Sequence, residues 1–203
     1  MLHYKKVLFI HIPKTAGTSV RQFLIQNNLE TWKRNPIFTF HDPLFLIEQS
    51  NQLSDTFKFT IVRNPYTRAF SHFKHIQINK NFDGTFNDFL NHIRMNGHVW
   101  LTGISHNDQT RFNQIFPLIS FRQSFYLYDV NGNLSMDKIY KTEKLIDFET
   151  DFDTKLQHLN SNSYAQEEYL KAYNSTNKNL VKTLFIEDFI NFDYSTHFED
   201  SIL

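Results

Sequence analysis

The segment Val7 to Ile12 restricts the fold more than any other, because it is an apolar run broken only by His11 and it ends in Pro13-Lys14-Thr15-Ala16-Gly17. A run without polar alternation is the pattern of a strand buried on both faces, as in a parallel sheet. Val20, Phe23 and Leu24 then recur at helical spacing, which predicts a helix running to about Asn28. Strand, glycine-bearing loop and helix in that order commit the chain to an α/β design with a parallel central sheet.

Later segments extend this pattern. Strands are expected at Ile37 to Phe40, at Phe57 to Val62, and at Phe125 to Asp129, the last turning at Asn131-Gly132 and returning through Asp137 to Lys141. Helical patterns begin at Pro43 and recur over Phe86 to Ile93, Phe148 to Leu159 and Leu180 to Phe189. Asn64-Pro65 reads as an N-cap followed by proline at the first helical position, opening a helix with Tyr66, Phe70 and Phe73 on one stripe. Asn160 to Ser163 is a polar loop too short to divide domains, and there is no repeat or low-complexity tract. At 203 residues, 40% of them hydrophobic, the chain is expected to form a single domain over residues 1–203. The expected architecture is α/β: a P-loop-like three-layer fold, its central parallel sheet flanked by helices, with a helical C-terminal half.

Charge narrows the function. Lys+Arg and Asp+Glu both total 21, so no global field favours nucleic acid or an anionic membrane, and any anion site has to be local. The absence of cysteine excludes disulfide and cysteine-based zinc frameworks. The apolar runs VLFIHI and PLFLI fall short of the roughly 20 residues that span a bilayer. The first residues carry no signal-peptide apolar core, so the expectation is a soluble, cytoplasmic protein without a transmembrane segment.

A loop between a buried strand and a helix presents backbone N–H groups at the positive end of the helix dipole. Here Gly17 would let backbone approach an anion, Thr18 and Ser19 add hydroxyls, and Lys14 adds a full charge, a set suited to phosphate or sulfate. The Walker order places its lysine after the second glycine, whereas Lys14 precedes the loop's glycine. The strand ending at Val62 also delivers Arg63 where an NTPase would keep an acidic magnesium ligand. A cation there attracts a second anion.

These two stretches, HIPKTAGTS and IVRNPYTRAFSHF, resemble the cofactor signatures of the sulfotransferases, in particular the carbohydrate branch of family 2 of the heparan sulfate 2-O-type. KIYKTEKLIDFETDF, with Glu143 before a helix, and LFIEDFINFDY resemble the family's later segments, so the resemblance covers most of the chain. It implies 3′-phosphoadenosine 5′-phosphosulfate (PAPS) as sulfate donor, with adenosine 3′,5′-bisphosphate as product. It further implies that Pro13, Lys14, Thr15, Ala16, Gly17, Thr18 and Ser19 hold the 5′-phosphosulfate, and that Arg63 with Ser71 holds the 3′-phosphate. The partners are then that donor and a hydroxyl acceptor, expected to be a glycan.

Sulfuryl transfer needs a cation for charge on the leaving phosphate and a base for the acceptor proton. Lys14 is the expected cation. His41, in FTFHDP, is the expected base, at the position where the resembled 2-O-type enzymes carry a histidine; the competing reading is a residue that caps the helix after Pro43. Asp42 reads as an N-cap, His11 as a structural histidine and Arg68 as a solvated one. His72 and His75 lack metal-ligand spacing, so no metal is expected. Trp100, Tyr126 and Tyr128 read as core before stacking platforms, the phenylalanines as core, and Asn107, Gln109 and Arg111 as candidates for lining an acceptor cleft. Two other readings stay open from sequence: a small-molecule kinase with an atypical phosphate loop, and an inactive nucleotide-binding scaffold.

Overall fold

A computed structural model describes residues 6–29, 41–50, 53–79, 82–96, 122–156 and 164–202. Internal contacts divide the chain into two compact units, Met1–Arg63 with Gln123–Ser161, and Asn64–Arg122 with Asn162–Leu203. The expected strand at Ile37 to Phe40 lies outside the described residues, as do Trp100, Asn107, Gln109 and Arg111.

The first unit is built on a parallel sheet. β1 (Val7–Ile10) pairs with β2 (Phe57–Val62), which pairs with β3 (Lys138–Lys141), in register Phe9↔Phe59 and Ile61↔Tyr140. Both faces of β2 are covered, which is why its sequence is apolar with little alternation. α1 (Gly17–Gln26) buries Val20 and Leu24, and α5 (Leu145–Asp151) buries Phe148. These side chains meet Phe59 and Tyr140 in one core; Phe59 lies 5.8 Å from Phe148 and 6.0 Å from Tyr140, ring centroid to centroid. α2 (Leu44–Ser50) begins one residue after Pro43, and Phe45 meets Phe125 edge-on at 5.8 Å.

The second unit is helical: α3 (Pro65–Asn79), α4 (Phe86–Asn96), α6 (Gln166–Ala172), α7 (Ser175–Leu184) and α8 (Ile186–Asn191). Asn64 caps α3 as the sequence predicts, its Oδ1 accepting from the Tyr66 N–H at 2.9 Å. The expected stripe Tyr66, Phe70, Phe73 faces Phe86, Phe89 and Tyr173 in an aromatic core. The Tyr173 hydroxyl donates to the Tyr66 carbonyl at 2.8 Å and so does not leave a buried polar group unpaired.

Several expectations are corrected. β1 stops at Ile10 and not Ile12, because Thr60 Oγ1 donates to the Ile10 carbonyl at 2.8 Å and the chain then leaves the ladder. Phe125 to Asp129 is not a strand: Ser124–Leu127 is a 3-10 turn, and only the bridge Tyr128↔Leu134 closes the expected turn, with Gly132 at φ 82. The predicted helix over Phe148 to Leu159 is α5, which starts earlier and ends at Asp151. The helix expected over Leu180 to Phe189 is two, broken at Phe185, whose φ −120 and ψ 24 depart from helical values while its ring stays buried. No helix among the described residues is long and apolar enough to cross a membrane.

Candidate functional site

The site forms where β1 and β2 end in the first unit. Beyond Ile10 the chain turns through a loop in which Lys14 has φ 67 and Ala16 has φ 62, while Thr15 between them is not left-handed. Alternating handedness turns successive N–H groups toward one side and makes an anion-sized concavity. Thr15 is fully buried and pins the turn, its Oγ1 donating to the Ile12 carbonyl at 2.8 Å. α1 follows with Ala16 as its N-cap and no side-chain cap, so its first N–H groups are not taken by a capping oxygen. Ser19 N donates instead to the Ala16 carbonyl at 3.1 Å. Pro13 is buried, Ser19 half-buried and Thr18 exposed at the helix start.

Gly17 has a steric reason as well. A Cβ there would fall within the van der Waals envelope of His11 Cδ2 and Nε2, so the His11 ring lies directly on the glycine. His11 stacks on Phe9 at 5.6 Å and meets the His41 ring at 4.3 Å between centroids. Burial above all, then His41 and Arg21, push its pKa down to about 3, which keeps the ring neutral. Its Nδ1 is buried and has no hydrogen-bond partner among the described residues.

His41 Nδ1 lies 2.9 Å from the His11 carbonyl oxygen. A carbonyl can only accept, so Nδ1 carries the hydrogen and Nε2 keeps its lone pair in the neutral ring. That tautomer can receive a proton at Nε2. Asp42 follows it, ahead of Pro43 and α2.

Two cations share the loop. Arg63 Nη1 reaches the Lys14 carbonyl at 3.5 Å. Burial first, and then the Arg63 charge, push the Lys14 ammonium down to about 8. Arg63 follows the last residue of β2, and its backbone is gripped by a residue the sequence reading did not single out. Gln123 Oε1 accepts from the Arg63 N–H and Gln123 Nε2 donates to the Arg63 carbonyl, both at 2.8 Å. Thr142 Oγ1 donates to the Val62 carbonyl at 3.0 Å. Side chains thus replace the ladder where the strands diverge. Nothing local in the sequence marks Gln123, because its partner is 60 residues away.

A cavity of about 290 Å³ runs along α1, lined by His11, Thr18, Arg21, Gln22, Ile25 and Gln26. Ser71 lies on α3 in the second unit and is fully buried. Arg68 on the same helix is buried, not solvated as expected, because α3 turns that face inward with Tyr66, Ala69 and Phe70. His72 packs edge-on against Phe89 at 5.2 Å, and the His75 ring meets Asn79 Nδ2 at 3.1 Å. Tyr126 is buried, as the core reading of it requires, and Glu143 is exposed in the 3-10 turn Thr142–Lys144 before α5.

A sequence model described as that of the sulfotransferase family matches residues 1–195. No curated protein and no solved structure matches the chain.

Proposed function

The chain belongs to the sulfotransferase family, and from that premise we propose that it transfers the sulfuryl group of PAPS to a hydroxyl, with a carbohydrate as the acceptor class. The observation that carries this reading is the loop itself: the Arg63 guanidinium reaches the Lys14 carbonyl, and His41 Nδ1 lies against the His11 carbonyl that leads into the loop. The Arg63 charge already disfavours the Lys14 ammonium, and a bound anion would favour it. The donor's chemistry fits that set, since it brings charge at its 5′-phosphosulfate and at its 3′-phosphate.

In this reading Lys14, Thr18, Ser19 and the N–H groups at the start of α1 hold the 5′-phosphosulfate, with Pro13, Thr15, Ala16 and Gly17 shaping the loop. Arg63 and Ser71 hold the 3′-phosphate. The bound donor supplies a sulfuryl group that an alcohol oxygen can attack in line. Lys14 counters the charge that grows on the leaving phosphate, and His41 Nε2 takes the proton of the acceptor hydroxyl. The cavity shared by Thr18 and His11 is the space we assign to the acceptor.

A thermal-shift titration tests the donor. Ligand at a hundredfold over its dissociation constant adds about 2.7 kcal/mol of apparent stability. Adenosine 3′,5′-bisphosphate is expected to raise the melting temperature without metal, and 5′-AMP to do so only at much higher concentration. A shift with ATP and magnesium but none with the bisphosphate would overturn the assignment.

A further inference from the structure

We infer that Gln123 is a positioning residue for the 3′-phosphate arm: its buried side-chain amide acts as a one-residue strand that fixes the backbone of Arg63 and so aims the guanidinium. The inference rests on the reading of Arg63 as that arm.

The amide orientation follows from chemistry. The Arg63 N–H needs an acceptor and its carbonyl needs a donor, so Oε1 must face the first and Nε2 the second, at 2.8 Å each. This double bond pattern is what a paired strand would give Arg63, yet on the β1 side, which Arg63 faces as Phe57 does, no strand pairing extends past Ile10↔Thr60. Without such a partner the residue after β2 would bond to water, and its dihedrals would be free to swing the side chain.

The mount is itself fixed. Gln123 and Ser124 are fully buried, and the Gln123 carbonyl accepts from the Tyr126 N–H at 3.1 Å to start the 3-10 turn. Tyr126 and Leu127 are fully buried and anchor that turn, while Phe125 meets Phe45 of α2. On the other side of the strand end, Thr142 Oγ1 holds the carbonyl of Val62. Arg63 is therefore clamped through its own backbone, and its guanidinium extends to the Lys14 carbonyl. A guanidinium aimed by its backbone can meet a phosphate without first losing the freedom of a loose chain.

The test compares two nucleotides that differ only in the 3′-phosphate, PAPS and adenosine 5′-phosphosulfate, by equilibrium binding without acceptor. Gln123→Met, which keeps side-chain length and removes both bonds, is expected to narrow the preference for PAPS about tenfold while affinity for adenosine 5′-phosphosulfate stays within about twofold. Gln123→Glu keeps an acceptor for the Arg63 N–H but loses the donor, and should fall between the two, which also serves if the methionine variant folds poorly. An unchanged preference in both variants overturns the inference. Equal loss of both nucleotides also overturns it, since Gln123 would then support the whole sheet edge. Wild-type protein that does not distinguish the two nucleotides removes Arg63 as the 3′-phosphate arm, and with it the reading on which the inference stands.

Discussion

Lys14 combines a left-handed backbone with an ammonium whose pKa burial and Arg63 bring down to about 8 from an ordinary value of 10.5. Between those two values the folded chain has released a proton that the unfolded chain keeps, so the stability of the free protein rises with pH across that window. A bound anion favours the charged form and reverses the shift. Affinity for adenosine 3′,5′-bisphosphate should therefore fall as pH rises through about 8, with close to one proton taken up per nucleotide bound. Calorimetry at pH 8.5 to 9 in two buffers of different ionisation enthalpy measures that uptake directly; no uptake and a flat affinity would remove Lys14 from the phosphate site. Lys14→Ala should also slow single-turnover transfer by about 100-fold or more, the range for a lost transition-state donor. His41 separates binding from chemistry. Its Nδ1 bond goes to the carbonyl of His11, ahead of the phosphate loop, and orients the ring, so His41→Ala should leave bisphosphate affinity nearly unchanged and abolish most transfer. Transfer at the wild-type rate in that variant would exclude the histidine as the base.

Three helices end in the same way, and their ends explain why boundaries were harder to read than elements. After α1, α5 and α8 the residues Asn28, Asp153 and Asp193 take φ 52, 49 and 51. In each case a backbone N–H reaches back past the cap: Leu29 to Leu24 at 2.9 Å, Thr154 to Glu149 at 2.9 Å, Tyr194 to Phe189 at 2.9 Å. These are Schellman ends with Asn or Asp where glycine is usual, in a chain that has only 5 glycines. A helix stop written as aspartate resembles any other polar residue, so the pattern from Phe148 carries no local signal that it ends at Asp151. The start at Asn64-Pro65 was legible because cap and proline are local signals. Exposed Asp153 supplies the test. Asp153→Gly should raise stability by about 0.5–1 kcal/mol, and Asp153→Ala should lower it, because alanine carries the left-handed penalty without aspartate's local hydrogen bonding. Urea denaturation of the pair measures both; a more stable alanine variant would contradict this account of the helix end.

On the scale of the whole chain, the first strand, loop and helix and the Arg63 strand end could be read directly, because each is a contiguous signal. Gln123, Thr60 and Thr142 could not, since each works on a carbonyl or N–H at least 50 residues away and nothing in their neighbours records it. Among the proposed nucleotide residues, Ser71 on α3 can be tested separately from Lys14 and Arg63. Each unit has a separate aromatic core, so amide exchange in one reports on that unit's own opening. If Ser71 serves the 3′-phosphate, saturating adenosine 3′,5′-bisphosphate must slow exchange in peptides covering 11–20 and 61–64 and also in those covering 66–76. Adenosine 5′-phosphosulfate, which lacks the 3′-phosphate, should slow the first set and leave 66–76 at its free rate. Slowing confined to 11–20 and 61–64 with both nucleotides would strike Ser71 from the proposed site while leaving Lys14 in it, and the 3′-phosphate would then rest on Arg63 alone.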